Sequence, residues 1–391
     1  MAGSLELASR KSGDNVRLVL VDNDEGPTTS CGCYRWSPCR KCCCCLLLVF
    51  FLPVVALGLA FIFIAYLPIE NPIPVPEWAH GPYKTTEMLV HVGGMYKETG
   101  DQDAWAFYPD LDNGTFPALA FSHGDGGGGF LLHWAFSGML RMVASHGFVV
   151  LAHKSCFWPW DCGTLSHDGG PNYQWRDQAR TLVWAASQPK DSDNDSPESR
   201  VLSRINRELP MGVFGQSTGG RTSIQAAAAA SVGPSGLDYT YINGSCIAAA
   251  VALHPDPCIG PYKDWRHGTC DLAPLITKTP LAVFTSMLDT TEPAGSARMN
   301  YDAASSTNKI FASMAGVSHI KGTGPIWALY TAAWFHIYLN SESQGDYYFD
   351  LIYGNSTRSI CGENKNEMEM DEPIEDMCYF EDFVKLDNYC S

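Results

Sequence analysis

Three kinds of side chain that together carry out acyl transfer stand in informative settings in this chain: a serine, an imidazole and a carboxylate. Gly215-Gln216-Ser217-Thr218-Gly219 follows an apolar run and precedes a helix-forming run, Arg221 to Ala230. A nucleophilic serine needs a sharp strand-to-helix turn that lifts its hydroxyl clear of the sheet, and small residues two positions away on either side let the backbone close that turn. The N–H of Thr218, at the start of the helix, is a natural donor to a developing oxyanion. A phosphate loop would need Gly-Lys-Ser/Thr, and Arg221 is misplaced for that role.

The second oxyanion donor is expected from the run 117–130, an apolar stretch that ends in Ser122-His123-Gly124 and continues as Asp125 and four glycines, Gly126 to Gly129. Asp125 or Gly126 would supply the N–H, with the Asp125 carboxylate turned away from the developing charge. His123 reads as a structural residue of this loop. The base must lie downstream of Ser217 and of its acid, which leaves His267, His319 and His336 for comparison. His336 falls in a helix-like apolar run, and His267 precedes any strand able to carry the acid. His319, in Ala315-Gly316-Val317-Ser318-His319, closes a small-residue loop directly after an apolar strand and is the expected base. For the acid, Asp289 is preferred because it ends the strand before the one that leads to His319. Asp256, at the end of the preceding strand, is the alternative acid or a residue lining the acyl pocket.

These residues need a scaffold. Apolar, β-rich runs at 87–95, 104–108, 117–122, 147–154, 211–216, 247–254, 280–286 and 310–314 alternate with helix-like segments at 131–144, 175–187, 218–231, 294–305 and 326–339. Several strands are apolar throughout, the pattern of strands covered by helices on both faces. The alternation predicts an α/β protein whose sheet is mostly parallel after a first hairpin.

Four stretches carry a resemblance: 143–150, Gly215 to Gly220, Leu288-Asp289-Thr290-Thr291-Glu292-Pro293 and Gly316 to His319. Over about residues 85–345 the chain resembles the bacterial polyester hydrolases and cutinases of the PET-hydrolase type. The resemblance implies an α/β-hydrolase fold and a triad of Ser217, Asp289 and His319. It also implies oxyanion donors at Asp125, where that family has an aromatic residue, and at Thr218. Phe121-Ser122-His123-Gly124 and 144–148 are equally similar to platelet-activating-factor acetylhydrolases and chlorophyllases. Those relatives take their acid from the earlier strand end, where this chain has His254 and then Asp256. An insert at 156–173 departs from both groups. There Trp158 and Trp160, with His254, are candidate substrate-pocket residues, although the tryptophans could equally pack beneath their own loop.

A net charge of −16 without a Lys/Arg-rich cluster argues against nucleic acid as a partner. The 22 uncharged residues 46–67 have the length of a bilayer-spanning helix. Arg35, Arg40 and Lys41 precede this run and Glu70 and Glu77 follow it, so the positive-inside rule puts the N-terminus in the cytosol. Sequons at Asn113, Asn243 and Asn355 and eight distal cysteines suit an extracellular or lumenal domain. Cys42 to Cys45, at the cytosolic face of the run, suit palmitoylation. The expected organisation is a cytosolic tail at 1–45, a transmembrane signal anchor at 46–67 and a Pro-rich stalk at 68–84. A catalytic domain at 85–345 and an acidic, cysteine-containing extension at 346–391 complete the chain. No metal or other cofactor is expected. The leading function is hydrolysis of carboxylic esters on a type II membrane protein. The alternatives are a non-catalytic adhesion or receptor ectodomain, a lipid-directed acetylhydrolase or chlorophyllase-like activity, a peptidase or a thioesterase.

Overall fold

The computed structural model of the protein describes residues 79–93, 103–124, 127–129, 131–154, 174–187, 196–232, 247–256, 276–287, 289–306, 308–314, 319, 324–340, 345–354, 358–360 and 378–380. The chain divides into two units, 1–67 and 68–391, and every described residue belongs to the second. The apolar run 46–67 and its cysteines lie outside the described residues, and none of the described helices is long and apolar enough to cross a membrane.

The elements follow the alternation expected from sequence. In chain order they are β1 (Thr85–His91), β2 (Asp103–Pro109), β3 (Ala118–Ser122), α1 (Leu131–Ser145), β4 (Val149–His153), α2 (Gln174–Ala185), α3 (Pro197–Leu202) and β5 (Met211–Gln216). There follow α4 (Thr218–Val232), β6 (Ile247–Leu253), β7 (Leu281–Ser286), α5 (Ala294–Ala303), β8 (Lys309–Met314), α6 (Pro325–Leu339), α7 (Gly345–Tyr353) and β9 (Cys378–Phe380). They build one nine-stranded sheet in the order β1-β2-β4-β3-β5-β6-β7-β8-β9. The strands from β4 to β8 are mutually parallel. Antiparallel pairing is confined to β1–β2, β2–β4 and the far edge, β8–β9. The fold is therefore α/β with a mostly parallel sheet.

Alternation along the strands assigns each side chain to one of two cores. Leu119 and Phe121 of β3 and Phe214 of β5 pack beneath α1, α6 and α7. Ala118, Ala120 and Val213 face the other way, toward α2, α3, α4 and α5. Covering both faces requires strands without a polar side, which is why these runs are apolar throughout. Under α6 the fit is close: a Cβ added at Gly212 would run into the Phe335 ring and lie 2.9 Å from Leu119 Cδ2.

At the end where the parallel strands begin, the segment before β1 is tied down. Ala79 O accepts from His146 Nε2 at 3.0 Å, Gly81 N donates to Ser145 Oγ at 3.0 Å, and Tyr83 N donates to Ser145 O at 3.1 Å. His146 Nδ1 meets the Tyr348 hydroxyl at 3.0 Å, and the His336 ring stacks on Tyr348 at 3.9 Å while its Nε2 donates to His146 O at 2.7 Å. His336 is thus a packing residue of α6, as its apolar setting suggested.

Candidate active site

The strand ends opposite that anchor gather the candidate residues. Ser217 occupies the turn between β5 and α4 with φ of 58°, and only one other described non-glycine residue, His254, has a positive φ. A left-handed backbone at a residue with a Cβ costs energy and must be imposed by its surroundings. Here Ser217 N donates to Leu253 O at 2.9 Å, and Arg221 N donates to Ser217 O at 3.1 Å to begin α4. The flanking glycines are a steric necessity: a Cβ at Gly219 would collide with Ser122 O, and one at Gly215 would collide with Gly219 O. Ser217 is 8% exposed, at the surface of an otherwise buried turn.

The expected oxyanion elements are partly described. Thr218 opens α4, so its N–H is free of helical pairing. Its hydroxyl donates to the Asp256 carboxylate at 3.2 Å. Asp125 and Gly126 lie outside the described residues. The loop that carries them starts against the nucleophile, since a Cβ at Gly124 would stand 3.0 Å from Ser217 Cβ, and Gly127 N donates back to Gly124 O at 3.0 Å. His123, whose ring meets Gly124 O at 2.8 Å, is buried in this loop, in line with its structural reading.

The two candidate acids have different partners. Asp289, just past β7, accepts from His319 Nδ1 at 2.7 Å through Oδ2. Asp256 is committed elsewhere, to a buried ion pair with Arg221 Nη1 at 2.9 Å that pins α4 to the turn after β6. His254, just past β6, is fully buried, and its Nδ1 donates to the same Asp289 Oδ2 at 2.8 Å. Trp158 and Trp160, the other pocket candidates, lie outside the described residues, as does His267.

The remaining oxygen of Asp289, Oδ1, accepts from the backbone N–H groups of Thr291 at 3.0 Å and Glu292 at 2.7 Å. Burial would push this carboxyl up. The two imidazole hydrogen bonds, the Glu292 N–H and the charge of His319 outweigh that effect and hold it well below the usual carboxylate range. Burial pulls the His254 imidazole down, and its hydrogen bond to and attraction by Asp289 offset only part of the shift. An ionised carboxylate only accepts, so His319 Nδ1 carries a proton, and in the neutral ring Nε2 carries the lone pair. That Nε2 lies 3.3 Å from the Gln216 side-chain amide, which also donates to His319 O at 3.3 Å. Among the described residues Ser217 Oγ makes no hydrogen bond to His319. Gln216, the variable position of the serine motif, is a site residue that sequence reasoning passed over.

His254, Asp289 and His319 also bring three ligand-type atoms within 4.8 Å of one another. Both imidazoles meet a single carboxylate oxygen at 2.7 and 2.8 Å, the spacing of N–H donors on a carboxylate. To bind a cation, both Nδ1 atoms would first have to lose their protons. The arrangement can polarise an imidazole beside a strained serine and a helix N-terminus. No known protein family and no curated protein matches the chain.

Proposed function

We propose that this chain is a serine hydrolase of carboxylic esters built on an α/β-hydrolase fold, with Ser217 as nucleophile, His319 as base and Asp289 as acid. The observation that carries the reading is the 2.7 Å contact between His319 Nδ1 and Asp289 Oδ2, made from two strand ends beside the left-handed turn at Ser217. The chain order Ser, Asp, His and the serine's place between strand and helix also support it.

In this reading Ser217 Oγ attacks the ester carbonyl as its proton passes to His319 Nε2. The tetrahedral oxyanion is held by the Thr218 N–H and a second N–H at Asp125 or Gly126. The C–O bond to the alcohol breaks as the imidazolium returns the proton to that oxygen. Water then repeats the sequence to release the acid and free Ser217. Asp289 stays ionised throughout, orienting the ring and stabilising its charged form. The Gln216 amide beside Nε2 yields its place to the serine hydroxyl when substrate seats, a tightening common in such sites. The substrates are carboxylic esters, of small molecules, lipids or polyesters, and the domain is tethered as a type II membrane protein through residues 46–67.

Covalent labelling with a fluorophosphonate, read by mass spectrometry, tests the assignment. Wild type takes up one adduct, at Ser217, and hydrolyses short nitrophenyl esters, while Ser217→Ala does neither and loses on the order of 10⁶ in kcat. Absence of an adduct from folded wild type overturns the reading.

A further inference from the structure

The acid of this site is held by two imidazoles, and only one of them has a place in the chemistry above. The second, His254, is shielded completely from solvent and cannot touch an ester. Its position is nevertheless closely determined. Its φ of 46° is left-handed, its N–H donates to Phe284 O at 2.7 Å, and its ring stands edge-on to Trp327 at 6.2 Å. Ser286 Oγ lies 3.4 Å from Nε2, so a neutral ring can accept there while donating from Nδ1. The residue before it supplies the carbonyl that takes the Ser217 N–H. One turn therefore grips the backbone of the serine and the side chain of the acid. A Cβ at Gly220 would lie 2.9 Å from Leu253 O and 3.1 Å from Pro255 Cα, so the first turn of α4 is wedged against this same turn.

We propose that His254 is a positioning residue whose Nδ1–H fixes Asp289 Oδ2 for its contact with His319, coupling the acid to the turn that clasps Ser217. The inference rests on the ester-hydrolase reading. Each Asp289 oxygen accepts two donors, Oδ1 from the backbone and Oδ2 from the two rings. A carboxylate so saturated cannot rotate without losing several bonds at once. Removing the His254 donor frees one lone pair of Oδ2, so the carboxylate swings more freely and attracts the His319 imidazolium more strongly. The first effect lowers turnover and the second makes the imidazole harder to deprotonate. The charged groups bearing on the ring are Asp289 and His319, because Asp256 is neutralised by Arg221.

Two variants of the full-length protein separate this role from packing. His254→Leu removes the donor. His254→Asn keeps an N–H donor near the position of Nδ1, on a residue that tolerates a positive φ. With nitrophenyl butyrate, His254→Leu is expected to lose about 10- to 100-fold in kcat, with KM within about threefold and the acidic limb of kcat/KM moved to higher pH. His254→Asn is expected to restore kcat to within about threefold of wild type and to return the limb. An unchanged limb and kcat in His254→Leu, or equal damage in both variants, overturns the proposal. Should His254→Leu not fold, proton NMR of histidine-¹⁵N-labelled wild type decides. Two low-field imidazole N–H signals that both move to higher field in Asp289→Ala support the shared oxygen, and a single one overturns it. Wild type that neither hydrolyses esters nor takes up fluorophosphonate removes the enzyme reading and leaves the two-proton signature standing as a separate test.

Discussion

Asp289 shows what a buried, ionised carboxylate requires of its neighbours. Its 3% exposure would favour the protonated form, and four hydrogen bonds reverse that preference. Asp289→Asn replaces an acceptor with an amide that must present either its oxygen or its N–H groups to two imidazole donors. The His319 tautomer is then no longer enforced. The expected result is a fall of about 10⁴ in kcat with the fold retained, measured by ester hydrolysis beside circular dichroism. Ser217, His319 and Asp289 stood out as candidates because each falls near a strand end and follows the order such triads keep. His254 and Gln216 were harder to read. His254 drew attention only as a pocket candidate, because nothing local reveals that the ends of β6 and β7 bring its ring against Asp289. Gln216 occupies the unspecified position of a motif, where residue type by itself carries no message.

The eight principal strands and five long helices were legible from periodicity, with ends displaced by a few residues. The elements that escaped have physical reasons. Helix α3 is short and polar, although Ser196 accepting from Ser199 N at 3.1 Å, with Pro197 next in line, is an ordinary helix start. In α7 the buried Tyr348, Leu351 and Ile352 sit at helical spacing at the start of the span 346–391, which reads as an acidic extension. Strand β9 has three residues and exists by pairing with β8, a contact no local pattern announces. Two glycines test the packing. Gly212→Val, forced against Phe335, is expected to cost about 1–3 kcal/mol by denaturant titration. Gly138 lies exposed within α1 with nothing within 4 Å of an added Cβ, so Gly138→Ala is expected to stabilise by about 0.5–1 kcal/mol in the same assay.

Among the described residues, burial favours the neutral form of four imidazoles. Burial pulls His146 down to about 4 and His336 down to about 4, and His153 and His254 are lowered as well. In the unfolded chain each titrates near ~6.5. Between these values the unfolded state binds more protons, so stability falls as the pH drops from about 6.5 toward 4, by up to ~1.4 kcal/mol per unit for each fully buried ring. Asp289 acts in the same direction at lower pH: its depressed value stabilises the fold above about 3.9, and that contribution is lost as acid protonates it. Scanning calorimetry from pH 7 to pH 4.5 should show a steep decline in Tm, and a flat profile would contradict the buried neutral rings.

The hydrogen bonds that join Ser145 and His146 to the segment at Ala79–Tyr83 have a practical corollary. They grip the polypeptide where the parallel strands start, while Ser217 stands where they finish, about 17–20 Å away along strands of five or six residues. Beads or electrodes coupled through a linker just ahead of Ala79 would therefore sit at the end of the sheet opposite Ser217.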